Sequence, residues 1–511
     1  MVEHAGAEDD PAAAPLDLLR RAGLLDPSGE RHVVTHGAVI VLTGDRAWKF
    51  KRPVTYRYLD FSTVARRRDA LTTELRLNRR TAPELYLGVH SFSSGPGGTE
   101  ILDSPEVLAG DAPADDYALE MVRFGDDALL AQWADAGVLT DDLLTRIAAR
   151  VADLHTVAEV SEDHAGAARL LDVIDGNLLS MQRFPEILPP ARAVELTDRL
   201  RALLAAQAPL LDDRAARGRV LLGHGDLHLR NIAVLDGEPT LFDCLEFDPE
   251  LATADVLYDL AFLLMDLWAR GLQHAANVVM NAYLDRSPAD EDGLILLPLM
   301  LSVRATVRAH VCAAEGDADA AGGYLDLALA LTDPVPPRLI AVAGASGTGK
   351  STLARAVGGE VGAAPGARIL RSDVLRKRLA GVPATRPLPA ERYTPEASAE
   401  VYDELRRLAA QNLSGGMSVI ADAVSGRPDE RAGLAAVAAA TGAPFTGIWL
   451  ELPEAERIER IERRGPDASD ADAAVARAQT TALCPPGDDW AHVPADAGAT
   501  AAVRTLLTPT A

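Results

Sequence analysis

The chain has 511 residues, of which 48% are hydrophobic and 24% are charged. A chain of this length and composition is expected to fold into about two to four domains, and it is not typical of disordered proteins. The 75 acidic and 50 basic side chains give a formal net charge of -25. We therefore expect no nucleic-acid partner, because a phosphate backbone requires a basic surface. The cysteines Cys244, Cys312 and Cys484 lie far apart, which disfavours disulfides or structural zinc and fits a reducing compartment.

Targeting and membrane segments are not predicted. Residues 1–14 are acidic and rich in alanine and proline, which is typical of a flexible tail and differs from a signal peptide. No run reaches the roughly 18 apolar residues of a membrane helix. The most apolar stretches, 257–268 and 294–303, are predicted to be buried helices. We therefore expect a cytoplasmic protein without a membrane partner.

The first 331 residues mix strand and helix patterns. Apolar alternation bounded by turn residues predicts strands, whereas apolar spacings of three and four predict helices. The predicted strands lie in VVTHGAVIVL, RAWKFK, YLGVHSF, EILD, ADDYALEMVRF and a hairpin joined at Asp236-Gly237. The predicted helices cover 62–80, most of 127–217, and 255–331. This order favours an α+β first domain.

Prolines separate this region from a second one. The segment TDPVPP contains three prolines, which fix the backbone and remove hydrogen-bond donors, so a helix cannot continue through it. After it, the apolar strand RLIAVAG opens an alternation of strands and helices, which predicts a parallel α/β sheet covered on both faces. The predicted divisions are a first domain at 15–332, a linker at 333–337 and a second domain at 338–511.

A phosphate-binding loop follows that strand. It satisfies G-x-x-x-x-G-K-[ST] between a strand and a helix, which is the context that this motif requires. Glycines let backbone N–H groups face phosphate oxygens, Lys350 brings a cation to the β- and γ-phosphates and assists catalysis, and the Ser351 hydroxyl can ligate Mg²⁺. The predicted nucleotide-binding residues are Gly344, Ala345, Ser346, Gly347, Thr348, Gly349, Lys350, Ser351 and Thr352. The sequence therefore predicts an ATP-Mg²⁺ site.

Aspartates end the next two strands of this domain. Asp373 follows the strand ARILRSD, where a carboxylate can accept a proton from a substrate hydroxyl. Asp422 ends the strand SVIADAV, where it can organise Mg²⁺. Either aspartate can instead cap the N-terminus of the following helix.

Arginines near the end of the chain are a further candidate group. Arg457, Arg460, Arg463 and Arg464 recur at helical spacings, and a lid that closes over transferring phosphate needs such cations. Because glutamates alternate with them, the same pattern also fits a solvated helix face. Both interpretations stay open.

Residues 338–484 resemble the small P-loop kinases, the group that includes gluconate kinase, polynucleotide kinase and zeta-toxin-type enzymes. In that group an aspartate at the end of the second strand is often the base that activates the acceptor hydroxyl. Asp373 matches that position. The resemblance therefore implies a catalytic role for Asp373, without naming the acceptor.

The first domain contains a second constellation of polar residues. The segment GHGDLHLRNI resembles the catalytic loop of aminoglycoside phosphotransferases and other kinase-fold small-molecule kinases. The resemblance implies that Asp226 orients and deprotonates an acceptor hydroxyl, and that Asn231 and Asp243 ligate Mg²⁺. It also implies that Asp259 braces the catalytic loop.

A kinase fold also needs a lysine on its third strand, paired with a glutamate on the next helix. Lys49 and Glu74 are the candidates, but Lys51 shares the strand face of Lys49, so the choice between the lysines stays open. The connection that holds adenine is assigned by position alone to 120–123. The glycine-rich loop of protein kinases is absent, as it often is in aminoglycoside-phosphotransferase-like enzymes.

Over nearly its full length the chain resembles bacterial bifunctional proteins that fuse an aminoglycoside-phosphotransferase-like domain to an ATP-binding P-loop kinase domain. The stretches that carry the match are TELRLNRRTAPELYLGV, GHGDLHLRNI, FDCLEFDPELATADVLYDLAFLLMDL and GASGTGKSTLA. The implied function is ATP-dependent phosphoryl transfer, at two ATP-Mg²⁺ sites, to a hydroxyl of a small molecule such as a sugar, nucleoside or aminoglycoside. The alternative is a ligand-sensing pseudokinase domain coupled to a regulatory P-loop ATPase. The pattern predicts no particular oligomer.

Overall fold

The structure is a computed structural model. It describes residues 10–25, 31–35, 37–56, 59–95, 98–102, 114–465 and 467–508. Most of the tail predicted at 1–14 lies outside the described residues.

Helices and strands occur in an order close to the one expected from sequence. The strands are β1 (Arg31–Val34), β2 (Ala38–Thr43), β3 (Arg46–Lys51), β4 (Thr55–Tyr56), β5 (Leu59–Asp60), β6 (Tyr86–Gly95), β7 (Gly98–Leu102), β8 (Asp116–Val122), β9 (Val220–Leu222), β10 (Ile232–Leu235), β11 (Glu238–Leu241), β12 (Thr253–Asp255), β13 (Leu339–Ala343), β14 (Arg368–Arg371), β15 (Val419–Asp422), β16 (Phe445–Glu451) and β17 (Ala491–Pro494).

The α-helices follow the same chain order. They are α1 (Ala13–Arg21), α2 (Val64–Asn78), α3 (Leu130–Asp135), α4 (Asp141–Val157), α5 (Gly166–Met181), α6 (Pro190–Ala216), α7 (Pro249–Ala252), α8 (Val256–Ala269), α9 (Gln273–Arg286), α10 (Leu297–Ala314), α11 (Ala318–Ala330), α12 (Lys350–Gly358), α13 (Ser372–Leu379), α14 (Pro395–Ser414), α15 (Pro428–Thr441), α16 (Glu454–Glu462), α17 (Ala473–Ala482) and α18 (Ala499–Leu507).

The chain divides into two compact units. Unit 1 comprises Met1–His164 and Ala215–Asp259, and unit 2 comprises Ala165–Arg214 and Leu260–Ala511. Unit 2 therefore combines helices that precede the proline-rich segment with the whole parallel sheet that follows it.

Unit 1 is built on a six-stranded antiparallel sheet with the order β1-β2-β3-β8-β6-β7. Helix α2 packs on this sheet, where Leu71 and Leu75 join a buried cluster with Tyr86 and Leu119. Side chains two residues apart on a strand point to the same face. Both lysines of the central strand β3 therefore lie on one face of the sheet.

Unit 2 contains a parallel sheet with the order β14-β15-β13-β16-β17. Alternate residues of the central strand β13 enter two different clusters. Ile340 packs with Leu353 and Val357, whereas Ala341 packs with Leu405 and Leu434. The strand is thus buried on both faces, as its continuous apolar sequence predicted.

One helical stretch of unit 2 has the length and apolar composition of a membrane span. It covers Pro288–Ala314 and includes α10, which differs from the expectation that no run is long enough. By itself this is weak support for a span, because 67% of the apolar window is buried inside the structure. A core helix of a folded domain has the same properties, and the stretch 294–303 was predicted to be one.

We predict that Gly447→Ala destabilises unit 2 by about 1–3 kcal/mol, because overpacking a closed core forces its neighbours to move. A Cβ at Gly447 would lie 2.3 Å from the indole of Trp490. Urea unfolding followed by tryptophan fluorescence measures the change.

Gly176→Ala is the matched control, since a Cβ there meets nothing within 4 Å and alanine favours the interior of α5 by about 0.5–1 kcal/mol. Equal stability of the two variants would show that the Trp490 indole does not pack closely against Gly447.

Candidate active sites

Asp259 organises the loop between β9 and β10 in unit 1. Its carboxylate accepts hydrogen bonds from the backbone N–H groups of His224 and Gly225, each at 2.8 Å, and from His155 Nε2 at 3.1 Å. Burial raises the pKa of this carboxyl, but His155 and His224 more than offset the effect and hold the pKa well below its usual range. Asp259 therefore fixes the loop as an anion, in agreement with its structural assignment.

The loop presents Asp226 and Asn231 as a hydrogen-bonded pair. Asn231 Nδ2 donates to Asp226 Oδ2 at 3.0 Å and to the Asp226 carbonyl oxygen at 2.9 Å. The Asp226 side chain is 38% exposed, whereas Asn231 is buried. The amide thus orients a carboxylate that solvent or an acceptor can reach.

Both lysines of β3 converge on Glu74, which is fully buried on α2. Lys49 Nζ lies 2.6 Å from Glu74 Oε1 and 2.9 Å from Asp243 Oδ1. Lys51 Nζ lies 2.7 Å from Glu74 Oε2 and also pairs with Glu246. Only Lys49 therefore bridges the helix glutamate and the aspartate predicted to ligate metal.

In the Lys49–Asp243 pair, each group stabilises the charged form of the other. Burial lowers the pKa of Lys49, but Asp243 and Glu74 raise it well above its ordinary value. Burial raises the pKa of Asp243, and the Lys49 and Lys51 ammonium groups bring it below its ordinary value. Both groups are therefore ionised at neutral pH.

The phosphate-binding loop of unit 2 joins β13 to α12. Gly347 and Gly349 have φ values of 85° and 94°, which glycine adopts without strain. A Cβ at Gly347 would lie 2.6 Å from the carbonyl oxygen of Arg457. Lys350 Nζ donates to the Ala345 carbonyl oxygen at 3.0 Å. The loop therefore has the backbone conformation that the sequence motif predicts.

Asp422 and Asp373 lie beside this loop, and neither is a helix N-cap. Ser351 Oγ donates to Asp422 Oδ2 at 2.5 Å, while the N-caps of α13 and α15 are Arg371 and Arg427. Burial raises the pKa of Asp373, although Lys350 acts in the opposite direction. Burial lowers the pKa of Lys350, which Asp422 and Asp373 partly oppose.

Oxygen donors suit a magnesium ion at both sites. Mg²⁺ binds few protein ligands and takes other oxygens from phosphates and water. The hydroxyl–carboxylate pair Ser351 and Asp422 fits this chemistry, as do the side-chain oxygens of Asn231 and Asp243. No group of three or more His, Cys, Asp or Glu side chains that could hold a metal occurs among the described residues.

The candidate lid arginines divide into two groups. Arg457 is buried and donates to the Ala476 carbonyl oxygen and to Thr480 Oγ1. Arg460 Nη1 donates to the Thr348 carbonyl oxygen of the phosphate-binding loop at 3.3 Å. Arg463 instead forms an exposed ion pair with a glutamate one turn away. Arg460 therefore lies at the phosphate-binding loop and Arg463 lies in solvent, and the lid role of these arginines stays a prediction.

Sequence inspection missed further polar residues at these sites. Arg371 binds both oxygens of Asp467 at 2.8 and 2.9 Å, and Gln479 Oε1 accepts from the Ser346 N–H at 2.7 Å. Glu246 pairs with Lys51 in unit 1. Glu246 lies in the quoted segment LFDCLEF, but no spacing rule connects Gln479 to a loop more than a hundred residues earlier.

Comparisons with known proteins fit this geometry. A family model described as "Phosphotransferase enzyme family" matches residues 60–294, and one described as "AAA domain" matches residues 339–486. An uncharacterized protein of Mycobacterium tuberculosis (strain ATCC 25618 / H37Rv) is 33% identical over 466 residues, or 87% of this chain and 88% of the relative. A protein of Mycobacterium bovis is similar to the same extent.

The chain belongs to the family of fused aminoglycoside-phosphotransferase-like and P-loop kinase proteins.

Two solved structures show a weak similarity to this fused kinase family protein. The GDP and kanamycin complex of APH(2")-IIia is 15% identical, covers 63% of this chain and 98% of its own, and has a TM-score of 0.40. A gluconokinase from Sinorhizobium meliloti 1021 is 20% identical, covers 34% of this chain and 91% of its own, and has a TM-score of 0.25. Because these identities and TM-scores are low, the family assignment rests on the family models and the mycobacterial relatives.

We predict that Asp259→Asn destabilises the protein by about 2–4 kcal/mol at pH 7, because it removes a buried charge that holds three donors. The folded-state pKa of Asp259 is depressed. Its contribution is therefore complete above the ordinary carboxyl pKa, and it is lost as the pH falls through the folded-state pKa. Urea unfolding at neutral pH measures the difference.

Asp142→Asn is the control, because Asp142 forms an exposed ion pair with Arg146, and such pairs contribute at most about 1 kcal/mol. If Asp259→Asn cost no more than this control, Asp259 would not brace the loop.

Proposed function

We propose that this protein transfers a phosphoryl group from ATP-Mg²⁺ to a hydroxyl of a small molecule, with its main site at the phosphate-binding loop of unit 2. The family assignment supports a phosphotransferase. The observation that carries the proposal is the close electrostatic grouping of Lys350, Asp373 and Asp422 beside a loop whose backbone amides suit phosphate. A cation for phosphate, a base for a hydroxyl and an oxygen ligand for magnesium are what phosphoryl transfer requires.

The residues of the loop bind and orient the triphosphate. Backbone N–H groups and the N-terminus of α12 receive phosphate oxygens, and Lys350 adds a point charge. The oxygens of Ser351 and Asp422 would hold Mg²⁺, which neutralises phosphate charge when it is bound. Arg460, which donates to the Thr348 carbonyl oxygen of the loop, keeps further positive charge near the phosphates.

Asp373 is the proposed base. Its pKa is raised because the half-buried carboxyl is partly desolvated, which brings its basicity closer to the operating pH and favours proton transfer from an acceptor hydroxyl. The neighbouring Lys350 keeps the anionic form accessible at neutral pH. Asp373 therefore accepts the proton while the loop holds the donor.

The second proposed site lies in unit 1. Asp226 would accept the proton of a hydroxyl there, Asn231 and Asp243 would hold the metal, and Lys49 would contact phosphate. The close Lys49–Glu74 pair is the observation that favours turnover over a pseudokinase role, because this pair must be formed in active kinases. We also propose a cytoplasmic location and a small-molecule acceptor without nucleic-acid partners, from the charge and cysteine content.

We predict that Lys350→Ala lowers ATP turnover at the unit 2 site by roughly 10²-fold or more, because a preorganised charge on the transferring phosphoryl group is lost. Labelled ATP and a panel of sugars, nucleosides and aminoglycosides provide the assay, and an Asp226→Asn background silences the other site. Arg463→Ala, which removes an exposed arginine, is the control. Undiminished turnover in Lys350→Ala would refute the assignment.

We predict that Asp226→Asn lowers transfer from the unit 1 site by about 10²–10⁴-fold, because the base is removed while its shape is kept. Nucleotide binding, measured with a fluorescent ATP analogue in a Lys350→Ala background, should stay unchanged.

Asp236→Asn is the matched control. Asp236 lies in the exposed turn of the β10–β11 hairpin with a φ of 51°, which asparagine also adopts readily. If the Asp226→Asn and Asp236→Asn variants transfer phosphate at equal rates, Asp226 is not the base.

A further inference from the structure

The strand that leads to Asp373 is an edge strand. β14 pairs with β15 on one side and is the first strand in the order of its sheet. The outer N–H and C=O groups of an edge strand need other partners when they are buried. Residues of β14 are almost entirely buried, so something other than water must satisfy them.

Helix α9 supplies these partners. Asn277 Nδ2 and Asn281 Nδ2 donate to the Ala367 carbonyl oxygen at 2.9 and 3.1 Å. Asn281 Oδ1 accepts from the Ile369 N–H at 2.7 Å. The Asn281 side-chain amide thus offers one donor and one acceptor to the strand, as a neighbouring peptide group would.

A buried guanidinium reinforces the same contact. Arg368 is 1% exposed and donates to Asn281 Oδ1 at 3.0 Å and to Asp285 Oδ1 at 2.8 Å. It also binds both oxygens of Glu291 at 2.9 and 3.0 Å. Asn412, which follows β14 in the sequence, also donates a hydrogen bond to Glu291. The cation is therefore compensated by carboxylates that precede the proline-rich segment.

Glycines let the helix approach closely. A Cβ at Gly358 would lie 2.4 Å from Asn277 Oδ1, and a Cβ at Gly359 would lie 2.6 Å from the Gln273 carbonyl oxygen. Gly358 ends helix α12, which begins at Lys350. The same helix α9 therefore packs against both the phosphate-loop helix and the strand that precedes Asp373.

The two sides of the contact between α9 and β14 are matched by different family models. Asn277, Asn281 and Glu291 lie in the part matched as a phosphotransferase, 60–294. Arg368 lies in the part matched as an AAA domain, 339–486. A helix from the first match thus completes the edge of the sheet in the second.

We propose that Asn281 is a positioning residue for phosphoryl transfer at the unit 2 site, through its hold on β14 and hence on Asp373. This inference rests on the proposed function of that site. Asp373 lies two residues beyond the end of β14, so a shift of the strand changes the place of its carboxylate. The phosphate-binding loop follows a different strand, β13, and keeps its own hydrogen bonds.

Full-length Asn281→Leu in an Asp226→Asn background tests this role. We expect kcat for ATP turnover to fall by roughly 10-fold or more, because displacement of a reacting group by about 1 Å can cost up to 10²-fold. The KM for ATP, which reports only the site that turns over in this background, should stay within about twofold of the Asp226→Asn parent, since its determinants lie in the loop. The pH dependence of kcat should also shift, because the surroundings of Asp373 change.

Asn177→Leu is the matched control. Asn177 is a buried asparagine of α5 whose side-chain oxygen hydrogen-bonds to His310. We expect this variant to lose stability without losing kcat. Asn281→Asp is a second variant, since it keeps the acceptor for the Ile369 N–H and removes the amide donor that reaches Ala367 and Asn277. Its kcat should lie between those of wild type and Asn281→Leu.

Failure of the Asn281 inference and failure of the proposed function give different results. Wild-type kcat and pH profile in both Asn281 variants would overturn the inference, as would an equal kcat loss in Asn177→Leu. A rise in the KM for ATP that accounts for the whole loss of turnover, with kcat unchanged, would also overturn it, because the loop and not Asp373 would then be displaced. The proposed function itself fails by a different result, namely turnover that does not respond to Lys350→Ala.

Discussion

Burying a cation requires an opposite charge within hydrogen-bonding distance, since a low-dielectric interior strongly penalises an isolated charge. In unit 1 this requirement ties Lys49 to Glu74 and Asp243, which come from a helix and a distant loop. In unit 2 it ties Arg368 to Glu291. Each ion pair thereby holds separate parts of the chain in one arrangement, and the candidate sites are built on those arrangements.

The parallel sheet adds a geometric constraint. Strands β13, β14 and β15 run in the same direction, so the segments that follow them emerge at one edge of the sheet. The phosphate-binding loop, Asp373 and Asp422 belong to those segments. Their grouping thus follows from topology, while the hydrogen bond between Ser351 and Asp422 fixes the detailed orientation.

Electrostatics also gives the two candidate bases different surroundings. Asp373 is half-buried near Lys350, and desolvation raises its pKa. Asp226 is also half-buried, and the Asn231 amide orients it. The arginines at and after α16 also differ, because Arg460 donates to the phosphate-binding loop while Arg463 forms an exposed ion pair. The charge pattern of the sequence alone does not show which arginines lie at the loop.

The sequence by itself determined the parts that depend on local pattern: the phosphate-binding loop with Lys350 and Ser351, and the segment with Asp226 and Asn231 that is predicted to be a catalytic loop. It also indicated the helix at 62–80, found as α2. Tertiary structure decided which β3 lysine bridges Glu74 and Asp243, that Asp373 and Asp422 are not N-caps, and that α9 covers β14. These features join residues that are far apart in sequence, and periodicity and spacing carry no information about contacts that only folding creates.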